Sequence, residues 1–145
     1  MKKILSIVLL LLSLFTFAGT PNNDLEAAKQ QAKTENKFIL LKFSGSDWCI
    51  PCIKFQKNVM DSATFKTYAE QHLVLMEADF PRKTKNQLSA EDQKKNDALA
   101  EKFNKEGVFP KIILLDADGN VVAQWSGFKD FTAEQFVTEL KNYIK

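Results

Sequence analysis

The chain has two cysteines, with two residues between them, in the stretch Ser44-Gly45-Ser46-Asp47-Trp48-Cys49-Ile50-Pro51-Cys52. An apolar run, Phe38-Ile39-Leu40-Leu41-Lys42-Phe43, leads into it, and Cys52, Phe55, Val59 and Met60 follow at helical spacing. A continuous apolar run of that length is expected of a central strand covered on both faces. Pro51 suits a first helical turn, where its missing N–H costs nothing. The stretch therefore reads as a strand-to-helix junction with two thiols at the helix start. Thiols so placed can close a small disulfide, and the first lies where the helix dipole and free N–H groups favour a thiolate. A purely structural disulfide fits poorly, because stabilisation by cross-linking grows with the length of the loop closed.

The rest of the chain alternates helix and strand. Asp24 to Thr34 predicts a helix with Leu25, Ala28 and Ala32 on one face. After the cysteine helix, Asp61-Ser62 interrupts, and Phe65, Tyr68, Ala69 and His72 predict a second helical piece. Leu73 to Asp79 is the next strand, followed by a polar loop from Phe80 to Leu88. Ser89-Ala90-Glu91-Asp92 opens a helix to about Lys105, with Gly107 as its stop. Lys111 to Leu115 is a strand, Asp116-Ala117-Asp118-Gly119 a hairpin turn, and Asn120 to Trp125 the last strand. Thr132-Ala133-Glu134-Gln135 caps a final amphipathic helix carrying Phe136, Leu140 and Tyr143. Strands separated by helices are expected to pair in parallel, with the closing hairpin as an antiparallel edge. The expected fold is α/β: a mixed central sheet of about four strands with helices on both faces.

Residues 1–18 stand apart. Lys2 and Lys3 precede an apolar run from Ile4 to Phe17, and Ala18–Gly19 offers a small-residue cut, the pattern of a secretory signal peptide. The run is short of the roughly 20 residues a spanning helix needs. Residues 19–145 then form one domain, with Lys+Arg falling from 20 to 18 against 18 acidic residues. A net charge near zero gives no reason to expect nucleic acid as a partner. Export, to a periplasm or another extracytoplasmic space, places the cysteines where disulfides persist.

The element order, together with Trp48-Cys49-Ile50-Pro51-Cys52, resembles the thioredoxin superfamily over essentially the whole of residues 19–145. The Ser-Gly-Ser-Asp-Trp-Cys lead looks most like the exported, thioredoxin-like branch of bacterial envelopes. The resemblance implies a thioredoxin-like fold and a protein-disulfide oxidoreductase with a Cys49–Cys52 redox couple. Cys49, the more exposed thiol, would attack, and Cys52 would resolve the mixed disulfide. Val108-Phe109-Pro110 stands where such proteins carry a cis-proline facing the disulfide. Its expected use is to present the backbone of Phe109 to an extended substrate, as an added strand. Gly127 matches a glycine near the site, and Trp48 either borders the docking surface or is a plain core aromatic. No cofactor beyond the redox-active disulfide is implied. The implied partners are protein thiols and disulfides and a membrane electron-transfer protein. Nothing resembling a dimerisation insert is present, and a monomer is expected.

One position departs from the family pattern. Where thioredoxins carry a buried acid on the strand before the motif, this chain has Lys42. Either Lys42 is buried and paired with Glu77 on the neighbouring strand, supporting proton transfer at Cys52, or it points outward and Glu77 is solvated. Other chemistries fit less well. A structural zinc needs four ligands, and His72 is the chain's one histidine. Copper binding by the two thiolates is the remaining metal alternative. Covalent haem attachment needs His after the second cysteine, where Ile53 stands. Pro51 between the cysteines, and no His there, resembles the reducing members more than the strong oxidants, so disulfide reduction is expected over oxidation or isomerisation.

Overall fold

The computed structural model describes residues 23–127 and 130–145; the signal peptide expected at 1–18 lies outside the described residues. Strand β1 (Phe38–Ser44) is buried from Ile39 onward and lies inside a four-stranded sheet of order β2-β1-β3-β4, with β2 (Leu73–Asp79), β3 (Lys111–Leu115) and β4 (Val121–Ser126). β1 and β2 run parallel, with Lys42 opposite Glu77. β3 runs antiparallel to both β1 and β4. The helix between β2 and β3 was expected to leave β3 parallel to the other strands. Instead the long connections 80–89 and 104–110 bring the chain into β3 at the end where it leaves β1. This reversal sets Lys111 opposite Phe43, so the residues before β3 meet those after β1.

Five helices pack on the two faces. α1 (Leu25–Glu35) starts where Asp24 accepts from the Ala27 N–H and stops at Asn36, which takes the left-handed conformation at φ 53°. α2 (Ile50–Phe55) carries Pro51 in its first turn and passes into a π-helical turn, Gln56–Met60, where one uninterrupted helix was expected. α3 (Ala63–His72) is capped by Ser62. α4 (Ala90–Phe103) starts at Ser89 and ends before the expected Lys105, because the Asn104 side chain bonds both the N–H and the C=O of Val108. α5 (Ala133–Lys141) has the complete Thr132–Gln135 capping box. At Ser89 the Asp92 carboxylate instead accepts from the serine hydroxyl.

Strand alternation divides the core. Leu40, Ile112 and Leu114 face Phe55, Phe65, Phe136 and Leu140 of α2, α3 and α5. Ile39, Leu41, Phe43, Val74 and Met76 face Ala28, Ala32 and Leu99 of α1 and α4. Phe136 is fully buried, with Phe55 and Trp125 edge-on at 5.2 and 5.3 Å. Each such ring contributes about 1.5–3 kcal/mol by burial. Among the described residues no helix is long and apolar enough to cross a membrane.

Candidate active site

Cys49 and Cys52 form a disulfide at the start of α2, with Cα atoms 5.2 Å apart. Cys49 is the N-cap: its backbone is extended, and its sulfur accepts the Cys52 N–H at 3.3 Å. Both cysteines are buried in the disulfide, Cys49 at 4% and Cys52 at 1%. The neighbouring Ile50 is 67% exposed, so the apolar surface around the buried disulfide begins with the residue between the cysteines.

The loop before Cys49 is tied to the end of the neighbouring strand β2 and to the loop that follows it. Asp79, at the end of β2, accepts from the Ser46 N–H at 2.8 Å and also from its hydroxyl. Asp47 accepts from the Arg82 N–H at 2.9 Å, the Lys83 N–H at 3.0 Å and the Asn86 side chain at 2.9 Å. The Arg82 N–H, foremost among these donors, holds the Asp47 carboxyl below its ordinary range. Trp48 donates its indole N–H to the Phe80 carbonyl at 2.7 Å, and the Arg82 guanidinium lies 3.6 Å above its ring. Beneath Trp48, a Cβ on Gly45 would overlap the indole, so glycine is needed there for the close approach. None of these ties was drawn from the sequence. Lys83, within the polar loop expected from Phe80 to Leu88, has its backbone in this lock.

The Phe109–Pro110 peptide is cis. Phe109 packs edge-on to both Trp48 and Phe80, with centroids 5.6 Å away in each case. Gly127, at φ 74°, donates its N–H to the Pro110 carbonyl at 2.9 Å. Trp48, next to Cys49, is thus linked through Phe109 and the buried Pro110 to Gly127, and Trp48 is half-buried. His72, at the end of α3, stacks on Tyr68 at 4.5 Å.

Under α2 lies the pair left open by the sequence. Lys42 is buried and its ammonium is 2.8 Å from a Glu77 oxygen. It also donates to the Gln56 side-chain carbonyl, and the Gln56 amide donates to Asp61 at 2.8 Å. The outward alternative for Lys42 is excluded by this geometry. Gln56 was not singled out from the sequence; its position four residues after Cys52 on the same helix was the available signal.

A helix-capping Cys-x-x-Cys disulfide and a cis-proline before a buried strand, on a mixed sheet covered on both faces, define a thioredoxin-like thiol–disulfide oxidoreductase. The thioredoxin-like domain family matches residues 25–144, and the chain belongs to it. It is similar to the disulfide bond reductase DsbH of Chlamydia pneumoniae, 36% identical over 118 residues, covering 81% of this chain and 69% of that protein. A solved DsbH oxidoreductase structure superposes with TM-score 0.74 at 35% identity, covering 87% of this chain and 85% of that one. The thiol:disulfide interchange protein DsbD of Cronobacter sakazakii is 36% identical over 125 residues, 85% of this chain but 19% of that protein.

Proposed function

We propose that this chain is an exported, periplasmic reductase of protein disulfides. The single observation that carries the reading is the Cys49–Cys52 couple capping α2, with Cys49 sulfur already accepting a helix N–H. That N–H and the dipole favour negative charge on Cys49 sulfur, as an attacking thiolate requires. In the reduced protein the Cys49 thiolate attacks a substrate disulfide, forms a Cys49–substrate mixed disulfide and expels one substrate thiolate. Cys52 then loses its proton and attacks Cys49 sulfur, which releases the second substrate thiolate and re-forms Cys49–Cys52. Two electrons pass from the dithiol to the substrate, and a second dithiol protein must return them. The similarity to DsbH, named a disulfide bond reductase, supports the direction, and the similarity to part of DsbD, named a thiol:disulfide interchange protein, supports dithiol exchange; a membrane protein is the donor we propose. Trp48, Phe109, Pro110 and Gly127 are the residues proposed to receive the substrate chain, beside exposed Ile50.

The test is the reduction potential of the couple, measured by equilibration against thiol buffers. Related proteins range from about −270 mV for a reductant to about −120 mV for a strong oxidant, a gap of roughly 7 kcal/mol. A value near the first supports reduction. A value near the second makes the protein a disulfide donor and overturns the direction.

A further inference from the structure

We infer that Lys42 is a positioning residue for Cys52: its ammonium, held by Glu77 and Gln56 beneath α2, stabilises the thiolate that resolves the mixed disulfide. The inference rests on reading Cys49–Cys52 as the exchange couple and adds the charge that serves its second half-reaction. Lys42 lies on the same face of β1 as Leu40, the face covered by α2, α3 and α5. Its ammonium reaches the Gln56 carbonyl, and the Gln56 N–H bonds the Cys52 carbonyl. Residues four apart on a helix share a face, with Cβ atoms about 5–6 Å apart. The Lys42–Gln56 contact therefore places the cation on the residue one helical turn after Cys52.

A buried lysine is a costly choice for packing alone, since apolar residues of similar volume commonly replace buried ion pairs without loss. Here it stands on the face of β1 covered by the helix that carries Cys52, in contact with Gln56 of the turn that follows. Among the described residues, the charged groups facing this region are Lys42 from β1, Glu77 from β2 and Asp61 through Gln56. Lys54 and Lys57, on the outer side of the same segment, are exposed. α3 and α5 contribute Phe65, Tyr68 and Phe136; burial pushes the Tyr68 hydroxyl up, leaving it neutral, while His72 stacks on the Tyr68 ring and the Lys141 ammonium lies 5.8 Å from its centre. The inner end of the pair is therefore the cation, and the outer, partly exposed end is the Glu77 carboxylate, whose side chain is 21% exposed against 4% for Lys42.

The two ends of the pair should act on Cys52 with opposite signs. Lys42→Met removes the cation and leaves the Glu77 carboxylate, which disfavours the thiolate. Glu77→Gln keeps a hydrogen-bonding side chain and leaves the cation uncompensated, which favours it. Cys52 is titrated in the full chain carrying Cys49→Ala, by thiolate ultraviolet absorbance and by alkylation rate against pH. The expected result is a Cys52 pKa about one unit higher in K42M, about one unit lower in E77Q, and near its starting value in the double variant. In the chain with both cysteines, K42M should slow resolution of a mixed disulfide about threefold. Tenfold fewer thiolates are partly offset by the greater nucleophilicity of each. A merely structural role for the lysine would not give opposed shifts. Shifts of one sign, or none, overturn the inference. If K42M does not fold, E77Q decides: a lower Cys52 pKa supports the cation, and an unchanged or higher one overturns it. Reduction of insulin disulfides by the unmodified protein tests the underlying reading separately. Its failure alongside opposed shifts would remove the exchange function and leave the charge arrangement standing.

Discussion

Two lysines are buried among the described residues, on adjacent strands and opposite faces of the sheet, and their surroundings differ. Lys42, in β1, pairs with Glu77 from the register position opposite it on β2 and with Gln56 from the helix above. Lys111, at the start of β3, pairs at 3.1 Å with Glu106, whose side chain is 68% exposed. The lysines themselves are almost equally inaccessible. What separates them is the depth of the partner. Lys111 runs its stem along apolar surface to a carboxylate in water, the usual habit of a long cationic side chain. Lys42 ends its path inside the protein. Burial of a lysine therefore says little until the position of its counter-charge is known.

This contrast predicts a graded series of responses. Lys42→Ala removes one member of an inward pair and leaves a carboxylate and an amide without their partner. The expected loss is about 3 kcal/mol, at the lower end for buried pairs because Glu77 is partly exposed, read by urea unfolding. Lys111→Ala should cost about 1–2 kcal/mol, mostly lost stem packing, by the same measurement. Equal losses at the two sites would erase the distinction. Glu106→Gln should leave the melting temperature unchanged within error, whereas Glu77→Gln should lower it measurably. The smallest effect is local. Asp47 has its carboxyl held below the ordinary range, chiefly by the Arg82 N–H, so its contribution is fully present above the ordinary aspartate pKa of about 3.9. That contribution is lost as pH falls through the lower value of the folded protein. Asp47→Ala at neutral pH should therefore speed amide exchange at Arg82 and Lys83 while leaving β1 and β3 amides protected. Unchanged exchange at those two amides would show that the loop is held by Trp48 and Phe80 without Asp47.

The parts of this protein readable in sequence are those set by neighbours along the chain. The strand runs 38–43 and 73–79, the serine and threonine caps and the Cys49-Ile50-Pro51-Cys52 junction are all local patterns, and they lie where expected. The direction of β3 was misjudged because strands separated by a helix were expected to pair in parallel, whereas the long connections on either side of α4 let the chain return antiparallel. Asp47 bonds residues 35 to 39 positions away, and no periodicity reports such a tie. The fate of Lys42 could not be decided from alternation alone, which allows either face. The register placing it opposite Glu77, and the helix laid over that face, decide it. Gln56 lay hidden for a related reason: a helical turn reads the same in sequence whether it closes as α or π.

The clamp on Trp48 has an optical consequence. The indole lies close against Gly45, the Arg82 guanidinium sits 3.6 Å from the ring centre, and the indole N–H bonds a backbone carbonyl of the loop. The chain's other tryptophan, Trp125, is sealed in the core among Phe136 and Tyr143. The protein thus holds its own sensor and its own reference. Emission from Trp48 should follow both the neighbouring sulfur chemistry and the seating of the loop, while emission from Trp125 stays constant until the core opens.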